Sequence, residues 1–471
     1  MKRTLLILAL LCASVCRAQS SDALVDTLLA RGWLKDWFSL DYILSSEREN
    51  LSPKKLLRLR ALTDARFRRY EQSNEALETL LEDAESAAPD ELNEWVSQLF
   101  ANYRHAMDFD SLKELYDDIR PQDVAPEDDP AYQYVEAMAS VPPTRLARPA
   151  GPVEIPFRLD SAGYGRIMYV NVEIGGRCEP FIFDTGCAEM SVVSEEFARE
   201  HGIRPLGGKA TMSGGGGLAD GWFGVADSLK VGPMTLYKAR FTVAPELIND
   251  SIFTMNAVLG CNFLLSAGRF EIHGRDGYLR FPAVDEPHDE GAPNMFVENG
   301  LFYVRTDIDG NAAVMQFDSG NNKSFLSPEY WCKYGAQLES VTSQGKKERI
   351  AGVGGVQMLQ TYTKPAVEVR VGGVAGTLYD VPIHSDETLR MAKNEDGNLG
   401  TDFLTAFDCV KVDYQTMRMT VSESPRTYSE GTVPAGVDVG IRDVRPRTDL
   451  WRSRDGKMAA NAAVRLWPAR E

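Results

Sequence analysis

Two short stretches lying 134 residues apart constrain this chain more than anything else in it. Phe181-Ile182-Phe183-Asp184-Thr185-Gly186-Cys187 reads as a buried apolar strand that ends in a carboxylate. The hydroxyl residue and glycine that follow make a tight turn, which exposes the acid. Met315-Gln316-Phe317-Asp318-Ser319-Gly320 repeats the pattern, and its surroundings repeat with it. Met168 to Gly176 aligns without gaps on Phe302 to Gly310, so each acid is fed by a β-hairpin. Downstream, Ser191-Val192-Val193-Ser194 matches Ser324-Phe325-Leu326-Ser327. The glycine-rich Ser213 to Ala219 matches Ala351 to Val356, and Leu259-Gly260-Cys261-Asn262-Phe263-Leu264 matches Leu399-Gly400-Thr401-Asp402-Phe403-Leu404. The same parts in the same order twice mark a duplicated all-β unit.

These motifs resemble the aspartic protease clan that includes pepsins and retropepsins, over about Val153 to Ser422. Each lobe in that clan contributes an Asp-Thr/Ser-Gly turn, a glycine-bearing flap and a later apolar-apolar-Gly segment. The resemblance implies a mainly β fold: two retropepsin-like β lobes with pseudo-twofold symmetry, preceded here by an α-helical domain. The glycine-rich flaps are more similar to retropepsins, whereas two lobes in one chain are similar to pepsins. The sequence departs from the pattern at Cys187 and Asn321, where a small Ala or Ser is usual, and at Asn398, where an apolar residue is usual. No flap tyrosine is evident.

The chemistry of the residues agrees with the resemblance. Two carboxylates brought together across a twofold axis do not both ionise easily, and they share a proton. One then removes a proton from a water while the other serves the substrate carbonyl, without a metal, cofactor or covalent nucleophile. Asp184 and Asp318 are therefore the expected catalytic pair. The Thr185 and Ser319 hydroxyls are expected to bond across the lobe interface, and Gly186 and Gly320 to give the backbone room. Gly214, Gly215, Gly216 and Trp222 in the first lobe, and Gly352, Gly354 and Gly355 in the second, are the expected flap and substrate-contacting residues, with ordinary hairpin packing an equal reading for Trp222. Closed over an extended peptide, such loops exclude water and offer backbone hydrogen bonds.

Lys2-Arg3 followed by the apolar run Thr4 to Leu11 reads as a secretory signal, too short to span a bilayer. The expected location is the bacterial periplasm or the medium. A lipid anchor at Cys12 or Cys16 is disfavoured by Leu11 and Val15. Of the sequons at Asn50, Asn249 and Asn322, a glycan on the last would obstruct the cleft, which argues against a eukaryotic setting. Losing the signal takes the formal charge from −17 to −20, a poor balance for nucleic-acid binding. Cys178, Cys187, Cys261, Cys332 and Cys409 then remain, an odd number at wide spacing with no disulfide framework or zinc pattern. Cys187 reads as a small turn residue in preference to a nucleophile, because no histidine lies nearby in sequence to activate it. The histidines at 105, 201, 273, 288 and 384 are scattered, so no metal site is expected.

Residues 20–140 are helical in pattern. Ser52-Pro53 is an N-cap and first-turn proline opening a helix that carries Leu56, Leu59, Leu62, Phe67 and Tyr70. Leu92, Trp95, Val96, Leu99, Phe100 and Tyr103 form a second stripe, and Leu112, Leu115, Tyr116 and Ile119 a third. A weak similarity at a spacing of 35 suggests tetratricopeptide-like hairpins, a surface for a protein partner or a prodomain. Val141 to Pro149 reads as a stiff proline-rich spacer, with a processing site as the alternative, and Asp285 to Pro293 separates the lobes. The expected boundaries are 1–18 (signal), 19–145 (helical domain), 146–152 (linker), 153–285 (first lobe), 294–424 (second lobe) and 425–471 (C-terminal extension). The expected function is that of an exported aspartic endopeptidase acting on protein or peptide. The alternative is a non-catalytic binding or scaffold protein on the same duplicated fold, favoured by Cys187, Asn321 and Asn398.

Overall fold

The computed structural model describes residues 21–30, 36–121, 124–162, 165–214, 217–249, 254–338, 342–343, 345–352, 355–384 and 395–422. The expected signal sequence, Gly215, Gly216, Gly354 and the extension from 425 lie outside the described residues. The chain divides into two compact units between Ala125 and Pro126.

The first unit is helical, with helices Trp37–Ser46, Pro53–Arg66, Tyr70–Leu81, Pro89–Ala106 and Phe109–Ile119. Pro53 opens its helix as expected, but the Ser52 hydroxyl donates to Asp22 Oδ2 at 2.6 Å instead of capping the helix. The stripe from Leu56 to Tyr70 is not one helix. It breaks after Arg66 because Arg68 takes a left-handed φ of 57°, and Tyr70 begins the next helix. Trp95, Val96, Leu99, Phe100 and Tyr103 are buried on one face, as their spacing predicts. A satisfied amide network runs through this core. Asn102 Nδ2 donates to Ser73 Oγ and Asn74 Oδ1, and Gln98 Nε2 donates to Asn102 Oδ1, all within 2.8 Å.

The second unit begins before the lobes. Helix Pro130–Ala139, expected within the helical domain, sits in this unit, and its Tyr134 ring packs edge-on against Phe223 at 5.4 Å. The spacer is not free either. Arg145–Ala147 is a strand paired antiparallel with Met234–Ala244, and Leu146 is fully buried. Main-chain pairing of Arg145 and burial of Leu146 disfavour a cut there, since a protease needs the backbone released. Arg240 fastens the approach. Its buried guanidinium donates to the carbonyls of Met138 (2.9 Å), Val141 (2.7 Å) and Pro142 (3.3 Å) and to Thr144 Oγ1 (2.6 Å).

Each lobe is a mixed sheet, and the two share one topology. In the first, Gly165–Ile174 and Arg177–Phe183 form the expected hairpin, with Tyr169 opposite Ile182. Ala257–Leu259 inserts parallel beside the acid-bearing strand. In the second, Leu301–Ile308 and Asn311–Phe317 place Tyr303 opposite Gln316, and Gly397–Leu399 inserts in the same way. A five-stranded antiparallel sheet joins the lobes. Its order is Val153–Pro156, Tyr278–Phe281, Arg269–His273, Val410–Asp413 and Arg418–Val421, so strands from both halves of the repeat lie side by side. The break between the lobes is pinned to this sheet by Arg269, which donates to the carbonyls of Pro287 and Ala283.

Replacing Arg240 by Ala would leave several buried carbonyls without donors, and each such group costs about 1–3 kcal/mol. Arg240→Ala is expected to lower the stability of this unit by about 3 kcal/mol in urea unfolding, with Arg240→Lys between it and wild type because an ammonium cannot reproduce the fork.

Candidate active site

Each acid is carried to the end of its strand and held there by the inserted strand beside it. Asp184 N–H donates to Leu259 O at 3.1 Å, and Asp318 N–H to Leu399 O at 3.0 Å. The chain then turns sharply. Gly186 N–H returns to Asp184 Oδ1 at 2.7 Å, and Gly320 N–H to Asp318 Oδ1 at 3.1 Å. Cys261 N–H donates to Cys187 O and Thr401 N–H to Asn321 O, closing the two turns alike.

The expected pairing across the lobes is present and reciprocal. Thr185 Oγ1 donates to Phe317 O at 3.0 Å and accepts from Ser319 N–H at 2.9 Å. Ser319 Oγ donates to Phe183 O at 2.7 Å and accepts from Thr185 N–H at 3.1 Å. Both hydroxyls are fully buried. A Cβ built on Gly186 would fall 2.5 Å from Asp318 Oδ1, and one built on Gly320 would run into the Asp184 carboxyl. Each glycine is therefore required by the acid of the opposite lobe, and the two carboxyls face each other over the axis.

Burial, and then the charge of Asp318, push the Asp184 carboxyl well above its ordinary range, against the Gly186 N–H. Burial raises Asp318 too. Opposing it are Asn398 Nδ2, which donates to Asp318 Oδ2 at 2.9 Å, and a hydrogen bond from Asp184. This is the electrostatic condition for one proton shared between two carboxyls. A third acid, Glu395, is buried near the pair. Burial and then Asp318 push it up to about 8, while a Tyr303 hydrogen bond works the other way. Cys187 is a thiol, raised by burial and then by Asp184, and its Sγ donates to Met190 O at 3.2 Å. It packs against the apolar cluster of Ile182, Met255 and Val258, which fits the small turn residue expected.

The glycine loops close two long hairpins, Arg204–Gly214 with Gly217–Val231 and Lys346–Gly352 with Gly355–Val371. Gly214 pairs with Gly217 and Gly352 with Gly355 at the last register before each tip. Trp222 stands further back, where it pairs with both Lys209 and Val243 in the body of the sheet. Met212 is the hairpin residue that reaches the apolar cluster beside Asp184, and it was not among the expected contacts. Also missed were Asn262 and Asp402. Asn262 Oδ1 accepts from Ser191 Oγ at 2.8 Å, and Ser191 Oγ in turn accepts from Gly260 N–H. Asp402 Oδ1 accepts from Ser324 Oγ at 2.6 Å, and Ser324 Oγ accepts from Gly400 N–H. Their signal was present in the repeated Leu-Gly-x-Asn/Asp-Phe-Leu, read there only as repeat alignment.

The shared sheet also gathers Glu271, His273 and Cys409, whose potential ligand atoms lie within 4.8 Å of one another. Sequence spacing hides this group because it spans both lobes. Glu271 Oε1 already takes Arg280 at 3.0 Å and Lys411 at 3.4 Å, cations that oppose a metal ion there. None of the five cysteines among the described residues forms a disulfide.

Residues 170–266, which include Asp184, match the family described as "gag-polyprotein putative aspartyl protease". Among solved structures, the aspartic proteinase from Irpex lacteus is similar at 12% identity, with 58% of this chain and 98% of that one covered and a TM-score of 0.39. A comparison with curated proteins found no match. Two β lobes preceded by a helical region fit a bilobal aspartic protease.

Thr185→Val removes a hydroxyl of nearly the same volume and leaves Phe317 O and Ser319 N–H without it. Unfolding in urea is expected to show a loss of about 2–4 kcal/mol, more than a surface Thr→Val change gives.

Proposed function

We propose that this chain is an exported aspartic endopeptidase, in which Asp184 and Asp318 hold one water and hydrolyse a peptide bond of a protein or peptide substrate. The observation that carries this reading is the Thr185–Ser319 exchange, which brings the two acids face to face with room between them only because residues 186 and 320 are glycine. The family match over the first lobe supports a protease function in general. With one carboxyl ionised and one protonated, one takes a proton from water and the other donates to the carbonyl oxygen. The two hairpin tips are the natural lids over an extended peptide. Export, to the periplasm or beyond, is supported by the basic start and apolar run of the first 18 residues. Among the described residues, no helix is long and apolar enough to cross a membrane.

The reading as a binding or scaffold protein drew on Cys187, Asn321 and Asn398. In the structure these residues leave the paired turns in place, and Asn398 donates to Asp318.

Asp184→Asn and Asp318→Asn are each expected to reduce cleavage of a denatured-protein library by roughly 10²–10⁴-fold or more, with circular dichroism unchanged. A statine-type inhibitor should block wild type. Either variant cleaving at the wild-type rate would show that the pair is misassigned. Stability follows with a definite sign. Both carboxyls are raised by burial, so above about pH 4 the folded chain holds more protons than the unfolded one. These two acids therefore subtract stability as pH rises from there, and the Asn variants should flatten that part of the stability profile.

A further inference from the structure

Under the duplicated topology, the surroundings of the two acids are not duplicated. The strand registers pair Val258 with Ile182 in the first lobe and Asn398 with Gln316 in the second, so Asn398 stands where Val258 stands. Ser194 N–H donates to Asn256 O and Ser327 N–H to Asp396 O, which makes Met255 and Glu395 counterparts. Ala244 and His384 close equivalent strands, and Cys187 and Asn321 follow the two glycines. Asp184 is therefore backed by an apolar cluster, and Asp318 by amides and hydrogen-bonding groups. Asn321 Nδ2 donates to Asn398 Oδ1 at 3.1 Å, which fixes the orientation of the Asn398 amide and aims its N–H at Asp318 Oδ2, 2.9 Å away. A neutral amide donor with its own acceptor occupied favours the charged carboxylate, while an apolar wall favours the uncharged acid.

We propose, given the endopeptidase reading above, that Asn398 is a positioning residue that divides the work of the pair, keeping Asp318 ionised as the base and leaving the proton on Asp184 as the acid. Asp318 takes a proton from water as the water oxygen bonds to the substrate carbonyl carbon, and Asp184 gives its proton to the carbonyl oxygen. When the C–N bond breaks, the leaving nitrogen receives the proton from Asp318, and Asp184 regains one from a hydroxyl of the diol. Acid, amine and the starting protonation state result. The other titratable groups around Asp318 are compatible with this division. Asp184 and Cys187 face it from the first-lobe turn, the second as a thiol. Glu395, from the stretch before Asn398, is pushed up to about 8 by burial and then by Asp318, which favours its neutral form beside the pair. On the same polar side, His384 Nδ1 lies 3.3 Å from Thr361 Oγ1.

The test is Asn398→Val, which installs the first lobe's own residue. A hydrogen bond to a charged group is worth enough to move the acid limb of kcat/KM upward by about 1–2 pH units, with KM at the optimum within about twofold. Asn321→Ala, which frees the Asn398 amide to turn, should move the same limb the same way by less. An unmoved acid limb in folded Asn398→Val overturns the proposal, and if that variant does not fold, an unmoved limb in Asn321→Ala does so. Carbon-13 titration of the Asp carboxyls, read as a difference against Asp318→Asn, follows the same shift without turnover. A wild-type chain that cleaves nothing would defeat the endopeptidase reading, while this titration would still decide which carboxyl carries the charge.

Discussion

Four hydrogen bonds made by two hydroxyl residues hold this structure to its purpose. Thr185 and Ser319 each give a proton to a carbonyl of the opposite lobe and each receive one from the other's main chain, fully out of water. Neither lobe can satisfy its own turn alone, because the acceptors of Phe183 and Phe317 are met from across the interface. Such bonds are modest in net worth but expensive to leave unmade. The two acids are consequently fixed relative to each other by groups that do no chemistry. The Ser191–Asn262 and Ser324–Asp402 pairs repeat the principle one layer out, securing the backbone of each inserted strand.

Symmetry explains what was readable in the chain and what was not. The duplicated turns, hairpins and Leu-Gly segments were legible because they answer a backbone demand that both lobes share, and such demands leave the same residue types in the same order. The contrast between Val258 and Asn398 registers in sequence only as a departure from an expected apolar residue. Its meaning needs the register that sets Asn398 beside Asp318, and the Asn321 amide that orients it.

Other misreadings have local causes. The apolar spacing from Leu56 to Tyr70 continues through a turn because Phe67 and Tyr70 are buried on either side of Arg68, whose left-handed backbone no periodicity reveals. Of the two readings open for Trp222, the hairpin's length favours packing by pairing it with Lys209 and Val243 within the sheet, while Met212 on the opposite strand, which no pattern marked, reaches the apolar cluster. Val141 to Pro149 has the composition of a spacer, but one buried leucine and three residues of pairing make it part of a lobe.

That edge strand bears on how the protein can mature. Arg145–Ala147 covers the main-chain groups of Thr235 to Tyr237 at the rim of the first lobe's sheet, and the residues before it accept from Arg240. A chain trimmed to begin at Val153 would present an open rim and a buried cation stripped of its acceptors, the combination that invites strand exchange between molecules and self-association. Any removal of the helical region that keeps this rim covered and this cation satisfied has to leave Met138 to Ala147 attached.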